Sequence, residues 1–166
     1  MKRRFRKIVK ANQDRLYSTA VHMLGGSGEA EEVVQDVFIK LWEHLETLEE
    51  ERVTPWLIRV TRNACLDLLR RRQVQLAYAV GNGQTDVVEV QNPEDAFSTA
   101  GLRAQLRDSI EALEEPFRSL ILLREVEGFS YADIGEALSL SETQVKVYLH
   151  RARRKLRHRL EEVRQQ

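Results

Sequence analysis

Apolar residues recur along this chain at intervals of three and four, the spacing that gathers them on one face of a helix. The first stripe is Phe5, Ile8, Val9, Leu16, Ala20, Met23 and Leu24, and Gly25-Gly26 stops it. Ser27 is placed to cap the next helix, whose first turns hold Glu29, Glu31 and Glu32, where the helix dipole favours anions. That second helix turns Ala30, Val33, Val34, Val37, Phe38, Leu41 and Leu45 inward. Glu49-Glu50-Glu51 interrupts the pattern. Thr54-Pro55 then reads as N-cap and first residue of a third helix, running to about Arg72 with Leu57, Ile58, Val60, Ala64, Cys65, Leu68 and Leu69 as its stripe.

Periodicity fails between Gln73 and Asn92, a stretch with Gly81-Asn82-Gly83 and no basic residue, which reads as a linker. Val87-Val88-Glu89-Val90 within it has the composition of a short strand. Asn92-Pro93 restarts helix, with Phe97, Leu102, Leu106, Ile110 and Leu113 as the stripe. Pro116 opens another, carrying Phe117, Leu120, Ile121, Leu123 and Val126 and ending at Gly128. The pattern predicts an all-α chain of two small helical domains, 1–73 and 93–166, joined by a flexible linker over 74–92.

The last stretch is the most specific. Ser130 with Asp133 is a near capping box and Ser141 with Gln144 a full one. Two caps eleven residues apart imply a short helix, a tight turn and a second helix, the helix-turn-helix arrangement. Ile134, Ala137 and Leu138 face inward on the first, and Gly135 is small where the helices must approach. Val145, Leu149, Ala152, Leu156 and Leu160 bury the second. Its other face carries Lys146, Val147, His150, Arg151, Arg153 and Arg154. Cations near a helix C-terminus suit the dipole, but Lys146 lies too early for that. A basic exposed face in this setting fits the DNA major groove.

Charge sharpens the picture. The chain has 166 residues, with 26 Lys plus Arg balanced by 26 Asp plus Glu. The neutral total hides blocks: nine acids against two bases over Glu29–Arg52, five bases against one acid over Val53–Gln73, and eight bases against two acids from Thr143 onward. Such alternation suits a chain that meets more than one kind of partner. The single cysteine, Cys65, excludes an internal disulfide and a cysteine-based zinc site; it lies on a buried stripe and reads as a core residue. No apolar run is long enough to span a membrane and no apolar signal core follows the basic N-terminus, so direct membrane insertion and export are not expected and a cytoplasmic location fits. No metal-ligand spacing, phosphate-binding Gly-rich loop or nucleophile triad is present, so neither cofactor nor enzymatic activity is expected.

Ser130-Tyr-x-Asp-Ile, then Ser141-x-x-Gln-Val-Lys and Leu149-His-Arg-Ala-Arg153, resembles the −35-reading domain of bacterial RNA polymerase sigma factors, closest to the small extracytoplasmic-function group. Glu29-Ala-Glu-Glu-Val-Val-Gln-Asp-Val-Phe38 with Trp42 is similar to that group's core-polymerase-binding helix, and Pro55 to Arg72 to its −10-reading helix. Departures fall on Thr143-Gln144, Val147-Tyr148 and Ser139, the last often glycine in the family.

The resemblance implies that Gln35, Asp36, Phe38, Leu41 and Trp42 grip core RNA polymerase, although Phe38, Leu41 and Trp42 also read as core. In the third helix Arg59, Asn63, Asp67 and Arg70 fall on one face opposite the apolar stripe, where Asn suits a base edge and Arg a phosphate. By resemblance this face, with Arg62, meets the non-template strand of the −10 element, and the loop from Glu49 to Val53 helps hold an extruded base. For Arg70-Arg71-Arg72, neutralisation of a helix C-terminus is a competing account. The family match assigns −35 contacts to Ser141, Gln144, Lys146, Val147, Tyr148, His150, Arg151 and Arg154, and implies an anti-sigma partner, often membrane-anchored. The alternative from another class is a free-standing helix-turn-helix regulator that binds duplex DNA alone; an acidic helix followed by a basic one favours the polymerase reading.

Overall fold

A computed structural model describes residues 1–81 and 99–165. Among the described residues there are helices and no strands: α1 (Lys2–Leu24), α2 (Ala30–His44), α3 (Val53–Gly81), α4 (Thr99–Glu111), α5 (Phe117–Ile121), α6 (Tyr131–Leu138) and α7 (Glu142–Arg164). A 3-10 turn, Glu50–Arg52, leads into α3, and a π-helical turn, Leu122–Val126, follows α5.

α1 ends where expected. Gly25 sits at φ 73°, and its N–H caps the Val21 carbonyl. Ile8, Leu16, Ala20, Met23 and Leu24 are buried against Val33, Val37 and Leu41 of α2 and Leu57 and Cys65 of α3. Ser27 does not cap α2: that helix starts at Ala30 with Glu29 at the N-cap and no side-chain cap hydrogen bond. Nor is Thr54 a cap. The 3-10 turn runs straight into α3 at Val53, a buried residue, so burial of Val53 rather than a side-chain oxygen sets the start.

α3 continues to Gly81, past the boundary expected near Arg72, so residues 74–81 of the expected linker are helical. The reason is visible in their exposure. Val74, Leu76, Tyr78 and Val80 are exposed among the described residues, leaving no buried face to read, yet no Gly or Pro breaks the chain before Gly81. The remainder of that linker, the strand-like Val87–Val90 and the helix start at Asn92-Pro93 with Phe97 lie outside the described residues. In α4, Ile110 is buried, and Leu113 just beyond it as well, but Leu102 is 56% exposed and Leu106 42%, so its stripe covers only its C-terminal end.

The two expected units share their interior. Ile58 of α3 is packed among Leu120, Leu123, Phe129, Ile134, Val145 and Leu149 of the second unit. In return Ile110, Leu113, Ile121, Leu122 and Ala152 join the core of α1–α3. Polar ties cross the same seam. Arg15 donates to the Glu127 carbonyl at 2.9 Å, Ser18 donates to the Glu127 carboxylate at 2.5 Å, and Arg118 donates to the Met23 carbonyl.

Candidate nucleic-acid interface

The helix-turn-helix forms from its caps. Ser130 Oγ accepts the Asp133 N–H at 3.0 Å. Ser141 Oγ accepts the Gln144 N–H at 3.1 Å while Gln144 Oε1 accepts the Ser141 N–H at 2.8 Å. These bonds satisfy donors that the first turn of a helix otherwise leaves open. Between the helices, Ser139 takes the left-handed conformation at φ 57°, and the Leu140 N–H returns to the Gly135 carbonyl at 2.8 Å.

Val145, Leu149 and Ala152 are buried, which turns Lys146, Val147, His150, Arg151 and Arg154 outward as one exposed face. Val147 is an apolar residue in that charged surface, 43% exposed. Ser141 and Gln144 are exposed too, but their side chains are spent on the capping box. Tyr148 is half-buried and meets Phe117 edge-on at 6.2 Å, with the Arg151 guanidinium 5.8 Å from its ring. It thus supports the face from below. Tyr131 does similar work at the other end: Arg124 lies 4.3 Å and Lys146 5.5 Å from its ring centroid. Tyr131 stands in the motif, but nothing in its spacing foretold that partnership. Arg153 is drawn aside by Glu125, with Nε at 2.9 Å, and this hydrogen bond holds its charge more firmly than usual.

On α3, Arg59, Asn63, Asp67 and Arg70 are all exposed and Arg62 is half-buried, as the i, i+4, i+8, i+11 spacing requires. Arg70 pairs with Asp67 at 2.9 Å. Arg70–Arg72 do not neutralise a helix end, since α3 runs nine residues further; Arg72 instead ties Glu29 and the Leu24 carbonyl to α3. The preceding loop is pinned from α1: Arg4 donates to the carbonyls of Leu45 at 2.7 Å and Leu48 at 2.6 Å and pairs with Glu50 at 3.2 Å. Beside it lies a cleft of about 400 Å³ lined by Leu48, Glu49, Arg52, Trp56 and Arg59.

On α2, Gln35 and Asp36 are exposed, Phe38 is half-buried and Trp42 is 36% exposed, meeting Phe5 edge-on at 5.1 Å. Leu41 is fully buried and cannot touch a partner; its side chain points into the α1–α3 core instead. Phe38 and Gln35 edge a groove of about 330 Å³ shared with Val9 and Tyr17 of α1.

Among the described residues no three acidic, His or Cys side chains are grouped to hold a metal ion, and no helix is long and apolar enough to cross a membrane. Cys65 is buried, and burial pushes its thiol up to about 12, with Arg118 and Arg72 pulling it part of the way back.

Residues 8–74 match the family of sigma-70 region 2 and residues 103–156 that of sigma-70 region 4. The extracytoplasmic-function (ECF) RNA polymerase sigma factor SigE of Mycolicibacterium smegmatis is 30% identical over 152 residues, covering 91% of this chain but only 59% of SigE. SigL of Mycobacterium tuberculosis, also named an ECF RNA polymerase sigma factor, is 30% identical over 150 residues, covering 89% of this chain and 84% of SigL. Among solved structures, the sigma factor RpoE of Bartonella quintana in complex with the anti-sigma factor NepR shares the fold with a TM-score of 0.66 at 22% identity, covering 96% of each chain.

Proposed function

Because the chain belongs to the extracytoplasmic-function group of the sigma-70 family, we propose that its three surfaces divide the work of starting transcription. It is a sigma factor: it binds core RNA polymerase and directs it to promoters. The exposed edge of α2, with Gln35, Asp36, Phe38 and Trp42, takes the polymerase. Its acids and its half-open aromatics suit a basic helical partner. Arg59, Arg62, Asn63, Asp67 and Arg70 of α3 take the −10 strand once it is melted, the cleft by Trp56 receives an extruded base, and Lys146, Val147, His150, Arg151 and Arg154 of α7 enter the major groove of the −35 element. Capture of an unstacked base offsets part of the energy spent in melting. An anti-sigma factor is the further partner, and the cytoplasm is where these partners meet. No residue here is assigned a catalytic role.

The observation that carries this reading is the exposed basic face of α7, set by two helix caps and a buried stripe, in a chain whose other unit presents an acidic helix followed by a basic one. The test is run-off transcription with purified core polymerase, with and without the chain. Promoter-specific transcripts should require the chain. Their absence, with the chain folded and helical, would overturn the assignment. A free-standing regulator would bind its duplex equally well without polymerase.

A further inference from the structure

The outward face of α7 carries ammonium, imidazole and guanidinium groups, with one exception. Val147 is 43% exposed and stands between Lys146 and, one turn on, His150 and Arg151. It belongs to neither of the two apolar clusters of the interior, whereas Val145 on the same helix is fully buried. Valine is also a poorer helix former than lysine, arginine or glutamine. At an exposed position inside a helix it therefore brings no gain to the free fold.

The neighbouring cations do not cover it. The Lys146 ammonium lies 5.5 Å from the centre of the Tyr131 ring and the Arg151 guanidinium 5.8 Å from that of Tyr148. Tyr131 belongs to α6 and Tyr148 is seated against Phe117, so both long side chains are drawn toward the edges of the face. The methyl groups of Val147 stay open between them. Branching at the β-carbon confines valine in a helix almost entirely to one rotamer. Those methyl groups are thus held in place before any partner arrives, and covering them costs little side-chain entropy.

A helix docked in the major groove presses the middle of its outward face against base edges. Most of what those edges offer is polar: acceptors on guanine, adenine and thymine, amino donors on adenine and cytosine. A valine set against any of these strips its water and returns no hydrogen bond. The 5-methyl group of thymine is the apolar exception.

We propose that Val147 is a specificity-determining residue, and that it reads the 5-methyl group of one thymine in the −35 element. The contact favours thymine by burying a methyl group. It disfavours cytosine, whose amino group lies on the same edge, by leaving a donor unanswered. Lys146 and Arg151 hold the DNA on either side, and the valine fixes which base pair stands between them. The proposal rests on the assignment of this face of α7 to the −35 element.

The test uses holoenzyme assembled from the full chain and purified core polymerase. Promoters that it selects from a library with a randomised −35 element should share thymine at one fixed position. Deoxyuridine at that position removes the methyl group and leaves every hydrogen-bonding atom in place. It should weaken binding by ~4-fold, the worth of one buried methyl group. Val147→Ala should bring the ratio between the thymine and uracil duplexes toward one, while Val147→Ile, which keeps the branched apolar end, should preserve it. The uracil comparison on the parent chain needs no variant at all. The methyl contact is overturned if the selected sites share no thymine, if uracil costs nothing, or if its cost persists in Val147→Ala. Lys146→Ala and Arg151→Ala separate this from a failure of the −35 assignment. If they shift base preference in the −35 element while uracil costs nothing, the methyl contact alone fails. If they leave every −35 preference unchanged, the face is not the −35 reader, and the methyl contact falls with it.

Discussion

A β-carbon on Gly135 would stand 2.7 Å from the carbonyl oxygen of Leu140, nearer than such atoms can approach. The carbonyl cannot yield, because it belongs to the turn that Ser139 makes at φ 57° and that the Leu140 N–H closes onto Gly135. Gly135→Ala should therefore destabilise the chain by ~1–3 kcal/mol, the cost of forcing volume into a packed site. Ser139→Gly should act the other way, by up to ~1 kcal/mol, because a non-glycine residue in the left-handed region carries a penalty that glycine escapes. Denaturant unfolding of the two variants against the parent measures both. A neutral Gly135→Ala would mean that the turn and helix α6 are not this close.

Two neighbours on α2 should separate binding from folding. Asp36 is exposed and Leu41 is buried among the side chains of α1 and α3. Asp36→Arg should weaken association with core polymerase while helicity and melting stay as they are. Leu41→Ala should cost ~2–5 kcal/mol of stability, the range for emptying a buried leucine site. Affinity for core measured beside thermal melting distinguishes them, and an Asp36→Arg chain that binds core normally removes this residue from the interface.

On α7 the geometry predicts three different failures. Arg151→Ala should relax preference at one base pair of the −35 element, at ~1–3 kcal/mol for a lost base contact. Arg154→Ala should weaken all sites alike and flatten the salt dependence by ~1 unit of slope, as loss of a phosphate contact does. Tyr148→Ala should instead lower stability, because its ring is seated against Phe117, and only secondarily disturb Arg151 above it. Binding to single-base variants at several salt concentrations reads the first two. A flat response from all α7 alanine variants would reduce this face to ordinary charged surface.

The Cys65 thiol gives a pH dependence of definite sign. Its folded value lies near 12, above the ordinary 9.0, because burial disfavours the thiolate. The folded chain thus holds this proton more tightly than the unfolded chain. The resulting stability is complete below pH 9 and is lost as pH rises toward 12, with a limiting slope of ~1.4 kcal/mol per pH unit. Compared with Cys65→Ala, the parent should lose stability faster across that window. Parallel profiles would show that the thiol is not secluded. Below pH 9 the folded chain should resist alkylation.

The readable parts of this molecule were those governed by near neighbours in the chain. The stripe of α1, the capping boxes at Ser130 and Ser141 and the outward turn of Lys146, Val147, His150 and Arg151 all follow from spacing over one to three helical turns. What escaped depends on distant contacts or on their absence. The apolar residues of the helical tail from Val74 to Gly81 are exposed among the described residues, so they form no buried stripe to read. For Leu41 the periodicity, which turns it inward, agrees with its burial, and only the family resemblance offers it to a partner. Spacing sets Arg59 and Asn63 on one exposed face of α3, yet nothing local reveals that the end of α6 and Glu115, more than fifty residues away, lie against Arg59 and Arg62.

Ile58 belongs to α3 by sequence and to the helix-turn-helix by its surroundings, seated among Leu120, Phe129, Ile134 and Leu149. The seam between the two family regions is therefore partly a hydrophobic interior, and parting them wets side chains that folding had dried. Such a shared interior predicts one cooperative unit where the sequence has two regions. In calorimetry the isolated protein should melt as a single peak. Any partner that draws the two regions apart must supply new apolar cover or leave Ile58 in water.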